Sequence, residues 1–242
     1  MSLNIENIKK TKSNLNYPSQ LFINGKYQKS ISEKSFENIS PIDGSIVNQV
    51  FFAEQEDIDL AVSKAKETFN KGYWSNLSPG ERKKILLKFA ILLERDRLEL
   101  SLLDTIDMGK TINDTYNADL PTSIDNIEWY AEIIDKLFDD ISPSSKEYLG
   151  LITKEPIGVV AAIVPWNYPL WMAIWKIAPA LITGNSVILK PAEQSPMSAI
   201  KIGALLSEAG VPDGVFSVLP GDGPITGKSL CLHNDIDCVA FT

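Results

Sequence analysis

Residues 157–191, IGVVAAIVPWNYPLWMAIWKIAPALITGNSVILKP, leave this chain few ways to fold. The apolar run from Ile157 to Val164 stops at Pro165-Trp166-Asn167, and an apolar segment of helix length then ends at Gly184. A second apolar run, Ser186 to Leu189, stops at Lys190-Pro191. The pattern is strand, helix, strand, with a polar residue closing each strand. Runs without polar alternation belong to strands buried on both faces, the habit of parallel sheets. The rhythm continues downstream. A helix over 196–209 is expected to be capped by Ser195, opened by Pro196 and closed by Gly210. Strand 214–219, a glycine-rich turn, a short helix near 224–232 and strand 237–241 follow. The expected fold class is α/β, a Rossmann-like doubly wound parallel sheet. In the usual order its fourth strand lies beside its first, so strand 237–241 is expected as an unpaired apolar edge. With no helix after Thr242, the sheet reads as incomplete and the chain as the front part of a larger protein.

The residues upstream organise differently. Residues 1–18 read as a loose polar arm. Asn24-Gly25 inside LFINGKYQ is a hairpin signal, and a second hairpin runs from Phe36 to Phe52 around Pro41-Ile42-Asp43-Gly44. Helical spacing follows over 56–70, with Ile58, Ala61, Val62, Ala65 and Phe69 on one face. Ser78-Pro79-Gly80-Glu81 is a capping box that opens the next helix. Further helices are expected from about Arg95 to Met108 and over 121–139, the latter turning Ile124, Ile127, Tyr130, Ala131, Ile134 and Leu137 inward. Residues 141–156 alternate like an exposed strand. The expected divisions are 1–140 for hairpins and helices, 141–156 for the strand segment and 157–242 for the sheet core.

Composition narrows the function. The formal charge of −8 argues against nucleic acid or anionic membranes as principal partners. Residues 1–14 lack the apolar core of a secretory leader, and Pro165, Asn167, Pro169, Lys176 and Pro179 interrupt the longest apolar stretch, so no bilayer span is expected. Two cysteines in 242 residues fit a reducing, cytoplasmic setting, and a single histidine leaves no zinc ligand set.

Several residues could carry chemistry, each with a plainer alternative. PGDGPITG (220–227) is a G-x-G-x-x-x-G turn, one residue longer than the dinucleotide fingerprint and placed after the third strand. It reads as a phosphate-type turn or as close helix–strand packing. Lys190 and Glu193 stand where such folds read an adenosine ribose, or form a solvated charge pair. Asn167 could offer an amide donor to a developing oxyanion, or cap the helix that begins at Pro169. Tyr168, Trp171, Met172 and Trp175 read as core or as a pocket wall. Cys238, inside the last strand, reads as a small buried hydrophobe, and Cys231 lies near a helix end.

The segments EPIGVVAAIVPWNYPLWMAIWKIAPAL, TGNSVILKPAEQSP, EAGVPDGVFSVLPGDG and HNDIDCVAFT, in that order and spacing, resemble the NAD(P)-dependent aldehyde dehydrogenase superfamily over roughly residues 20–242. FINGKY, WYAEIIDK and HNDID are most similar to members that oxidise aminoaldehydes, γ-glutamyl-γ-aminobutyraldehyde among them. The resemblance implies oxidation of an aldehyde to a carboxylate with NAD, NADP not being excluded. It makes Asn167 the oxyanion donor, and Lys190 and Glu193 the adenosine-ribose contacts. Ile163, Pro165, Trp166, Gly223, Pro224 and Phe241 become the cofactor cleft, and Tyr168, Met172 and Trp175 the substrate channel. It implies a homo-oligomer, dimer or tetramer, assembled through 141–156. Neither cysteine matches the family's nucleophile, and the matching sequence reaches Thr242 before the family's catalytic Cys and Glu. An inactive chain is therefore expected. A non-catalytic nucleotide-binding or oligomerising module and a coenzyme-A-dependent acylating relative remain alternatives.

Overall fold

The computed structural model describes residues 3–242. Its centre is a six-stranded sheet ordered β10-β7-β8-β9-β1-β2. Strands β7 (Val159–Ile163), β8 (Ser186–Lys190), β9 (Phe216–Val218) and β10 (Cys238–Phe241) run parallel. The chain moves from β7 outward to β9, then returns to place β10 on the other side of β7. This is the switch-point topology expected from the strand–helix rhythm. The antiparallel hairpin β1 (Leu21–Ile23) and β2 (Lys26–Gln28) extends the far end by pairing Phe22 with Val218. Asn24 and Gly25 both adopt positive φ, the backbone a two-residue hairpin turn demands.

Alternate residues of the central strands point to opposite helical layers. Val159, Ala161 and Ile188 meet α2 (Gln55–Asn70) through Ile58, Ala61, Val62 and Ala65. Val160, Ala162, Val187 and Leu189 face a larger core built from α3 (Pro79–Arg95), α6 (Leu120–Ile133), α7 (Pro169–Ile182) and α8 (Met197–Ala209). The Ser78–Glu81 capping box forms at the start of α3, as its sequence predicts. Helix α4 (Arg97–Met108) stops at Gly109, whose φ of +75° is the left-handed cap glycine supplies cheaply. A short α5 (Ile112–Asp114) and a π-helical turn over Thr115–Asp119 lead into α6. The hairpin β3 (Ser35–Ile39) and β4 (Ile46–Phe51) forms a separate two-stranded sheet. A third sheet pairs β5 (Asp140–Ser142) with β6 (Gly150–Ile152). Among the described residues no helix is long and apolar enough to cross a membrane.

Four local expectations are overturned. The polar arm contains α1 (Ile5–Ser13), started by the Asn4 side chain accepting the Asn7 amide at 2.8 Å. Residues 1 and 2 of that arm lie outside the described residues. Helix α6 ends at Ile133, six residues early, and Leu137 beyond it is exposed because the chain has already turned extended there. Ser195 does not cap α8. Its buried hydroxyl donates instead to the Trp166 carbonyl at 3.3 Å, and Pro196 takes the cap position. Cys238 is exposed, because β10 is an outer strand with its faces largely open.

Candidate functional site

The polar residues that close the strands gather at one edge of the sheet. Register sets Phe241 of β10 beside Ile163 of β7, and Ile163 beside Lys190 of β8. The Val164 amide donates to the Lys190 carbonyl at 3.1 Å, and the Thr242 amide donates to the Ile163 carbonyl at 3.3 Å, so the ladder holds to its carboxyl end. Ile163 is buried, Pro165 half-buried, and Trp166, Asn167 and Phe241 exposed. The crevice beyond these strand ends, where the order reverses, is the place in which open α/β sheets bind ligands.

Asn167 sits in the turn between β7 and α7. The N-cap position belongs to Tyr168, whose φ is −146°, and no side chain closes that cap. The cap reading of Asn167 is therefore not realised, and its amide faces solvent. Ser195 fixes this turn from below through Trp166. The carboxyl end of α7 is held as firmly: Trp74 Nε1 donates to the Leu181 carbonyl at 2.7 Å, and Arg82 Nε to the Ile182 carbonyl at 2.8 Å.

Among the described residues Lys190 is the one lysine that lies buried, 3% exposed, and its Nζ stands 3.5 Å from Glu193 Oε2. Burial pushes its ammonium below the usual lysine range, against the pull of Glu193 and Asp222. An ammonium has three donors, and one contact at 3.5 Å leaves it capacity for further acceptors. Glu193 is more open and also borders a cavity of about 340 Å³ against Phe36, Ile39, Asp107 and Trp166.

The extra residue in the glycine-rich turn has a structural counterpart. Residues Gly223–Gly227 form a π-helical turn, with the Gly227 amide donating to the Asp222 carbonyl five residues back. Asp222 Oδ1 accepts the Ile225 amide at 2.7 Å and starts that turn. Thr226 Oγ1 ties it to the Ala53 carbonyl at 2.6 Å. Helix α9 (Lys228–Leu232) continues from it. A side chain at Gly221 would collide with Thr226, whereas a Cβ on Gly223 would meet open space. Packing thus requires the first glycine but not the second.

Tyr168 and Met172 are half-buried and Trp175 exposed along one side of α7. Tyr168 meets Trp171 edge-on with ring centroids 5.2 Å apart, and Trp171 stacks on Trp175 at 6.2 Å. Three charged or ionisable residues of this region escape a reading of the sequence. Lys110 places its ammonium 3.8 Å from the Tyr168 ring centroid. Asp104 and Asp107 of α4 are buried, and desolvation pushes their carboxyls up to about 7 and about 8. Lys110 could have been sought from Gly109, which must turn the chain somewhere. Nothing in the spacing of the α4 aspartates separates them from an ordinary polar face.

Cys238 lies at the other end of the strands. It pairs with Val160, three residues before Ile163, and so stands about 10 Å from the carboxyl edge. Cys231 is on α9, which leads into the amino end of β10.

Comparison with known proteins assigns this arrangement. The Aldehyde dehydrogenase family matches residues 27–242. The NADP/NAD-dependent aldehyde dehydrogenase PuuC of Escherichia coli is 46% identical over 224 residues, 93% of this chain and 45% of that protein. The aminoacetaldehyde dehydrogenase of Pseudomonas aeruginosa is 40% identical over 228 residues, 94% of this chain and 46% of that protein. Among solved structures, the indole-3-acetaldehyde dehydrogenase AldA of P. syringae, in complex with NAD+ and IAA, superposes with a TM-score of 0.97 at 47% identity. That superposition covers 99% of this chain and 48% of that one. The γ-glutamyl-γ-aminobutyraldehyde dehydrogenase of Burkholderia cenocepacia gives 0.96 at 44% identity, over 99% of this chain and 48% of that one. The chain spans about half the length of the curated relatives it matches. With the switch-point crevice, the strand-end residues and the sequence match in agreement, this chain belongs to the aldehyde dehydrogenase family.

Proposed function

We propose that this chain forms the cofactor half of an aldehyde dehydrogenase cleft, binds NAD, and supplies the amide that stabilises the oxyanion formed from an aminoaldehyde. The observation that carries the reading is Lys190, an ammonium withdrawn from water at the switch point with donors to spare. A ribose offers the acceptors it lacks, and Glu193 accepts from the same hydroxyls. The space over Gly223 leaves room for a ring against Pro224. Ile163, Pro165, Trp166 and Phe241 wall the crevice at the strand ends. When bound, NAD accepts the hydride that leaves the aldehyde carbon. Glu193 disfavours a ribose 2′-phosphate by charge, so NAD is preferred to NADP.

Asn167 has the exposure and the unengaged amide that an oxyanion donor needs, and one such donor is worth about 3–4 kcal/mol in a transition state. Tyr168, Met172 and Trp175 form the channel wall beside it. Both cysteines belong to the opposite end of the sheet, so no thiol among the described residues faces Asn167, and this chain by itself does not turn over aldehyde. The exposed β5–β6 hairpin, with Ile141, Leu149 and Leu151 open to solvent, serves homo-oligomer assembly. Two free, exposed thiols suit the reducing conditions of the cytoplasm.

Calorimetric titration of the 242-residue chain with NAD tests the core of this reading. Saturable binding that Lys190→Met weakens at least several-fold, with no NADH formed from γ-aminobutyraldehyde, is the expected result. A folded chain that fails to bind NAD, or binds it equally well without Lys190, overturns the cofactor assignment. NADH formation overturns the predicted inactivity. One observation favours a different substrate class: the Tyr168–Trp171–Trp175 ladder suits a planar aromatic aldehyde, and aromatic and amino aldehydes compared as ligands decide between the two.

A further inference from the structure

Lys110 stands outside the residues that the family resemblance marks, yet three separate devices of the fold converge on it. The first is Gly109, whose left-handed φ of +75° ends α4 and lets the chain double back there. The second is the π-helical turn over Thr115–Asp119, closed by the Leu120 amide donating to the Thr115 carbonyl five residues back. Turns of this kind are uncommon and concentrate at functional positions. Here the turn carries Asp119, 2% exposed, whose two carboxylate oxygens accept from Lys110 Nζ at 2.8 and 2.6 Å. The third is the Tyr168 ring, whose centroid lies 3.8 Å from the same ammonium.

Asp119 is buried but Lys110 only half-buried, and such an ion pair is weak evidence for stability, because desolvation of the carboxylate offsets much of the Coulomb attraction. The pair needs another explanation, and the aromatic contact supplies it. Tyr168 is the residue before α7, with φ of −146° and ψ of 69°, and its side chain takes no part in capping the helix. No hydrogen bond to the helix terminus therefore holds the ring in place. A cation close to a ring face attracts it electrostatically, and more strongly where water is partly excluded. Lys110 on one side and the edge contact with Trp171 on the other fix the ring between them.

We propose that Lys110, anchored on Asp119, is a positioning residue that locks the Tyr168 ring against Trp171, and with it the turn that presents Asn167. Its bearing on catalysis rests on the reading of Tyr168 as channel wall and Asn167 as donor. The ring-locking itself does not, and its test needs neither aldehyde nor cofactor.

The test compares near-ultraviolet circular dichroism of the 242-residue chain with that of its variants, each checked for folding in the far ultraviolet. Tyr168→Leu defines the loss of the coupled Tyr–Trp signal. Lys110→Met is expected to lose most of the same bands, and the double variant to lose nothing beyond Tyr168→Leu. Lys110→Arg is expected to restore the bands, because a guanidinium both grips a carboxylate and stacks on a ring. A Lys110→Met spectrum that superposes on the parent overturns the proposal, as does a Lys110→Arg spectrum as depleted as that of Lys110→Met. Should Lys110→Met fail to fold with Asp119 left unpaired, Lys110→Met combined with Asp119→Asn takes its place under the same criteria. Absence of aldehyde or NAD binding in the parent chain would defeat the proposed function and leave this result standing.

Discussion

Strands β8 and β10 flank the same neighbour, β7, and read alike in sequence, yet they live in different surroundings. All five residues of β8 are buried. In β10 three of the four are exposed and Ala240 is half-buried. β8 has a strand on each side, α2 against one face and the α7–α8 layer against the other. β10 hangs on β7 by its ladder and by one carboxylate: Asp237 Oδ2 accepts the Val159 amide at 2.8 Å and pairs with Lys66 Nζ at 2.9 Å. Gly158 makes room for that carboxylate, since a side chain there would overlap it. Apolar sequence states what a strand needs covered. It does not state what covers it. β8 is held by burial, β10 by polar contacts at its start.

That contrast predicts a steep gradient between the two strands that flank β7. Leu189→Ala removes a fully buried side chain from the main core, and a loss of about 2–5 kcal/mol in urea unfolding is expected. A loss below about 1 kcal/mol would mean that the two strands are not held differently, since surface substitutions rarely exceed that. Asp237→Asn is expected to cost about 1 kcal/mol, below the usual range for a hydrogen bond to a charged group because the pair is partly open to solvent. Its effect has a direction in pH. Burial pushes the Asp237 carboxyl up, but the Val159 amide and Lys66 outweigh it and hold the group below the usual carboxylate value. A depressed carboxylate contributes stability that is present above its unfolded pKa and lost as pH falls through its folded pKa. Parent and Asp237→Asn should therefore differ at neutral pH and converge in acid, with hydrogen exchange at the β10 amides faster in the variant. Equal exchange at neutral pH would move the anchor of β10 elsewhere.

The same contrast marks how far the sequence could be read. The Ser78 capping box, the Asn24-Gly25 turn and the β7–α7–β8 rhythm are local signals in which propensity, patterning and capping agree, and each became the expected element. The crevice was legible because strand ends carry it, and strand ends are marked by Pro165 and Lys190. What stayed hidden depends on contacts between distant segments. Asp104 and Asp107 look like the wet side of α4, but Met197 and its neighbours cover that side, and Asp107 accepts the Met197 amide at 2.9 Å. The Lys110–Tyr168 contact joins residues 58 positions apart through a π-helical turn that no periodicity announces. α1 has no buried residue, so no apolar face betrays it.

The smallest effect is expected where hydropathy suggests the largest. Phe241 is 73% exposed, so replacing it removes little buried area. The neighbouring hydrogen bond, Thr242 amide to Ile163 carbonyl, is backbone to backbone and survives any side chain. Phe241→Ser should therefore change unfolding stability by no more than about 0.5 kcal/mol, the range of a surface substitution. Its consequence belongs to association instead. An apolar outer strand with unpaired amides and carbonyls is a template for another strand, and a polar residue in place of its exposed aromatic weakens that template. Sedimentation velocity over a concentration series should show less self-association in Phe241→Ser than in the parent, at unchanged monomer stability. A stability loss near that of Leu189→Ala would show instead that Phe241 is packed in solution, and β10 would then be covered as β8 is.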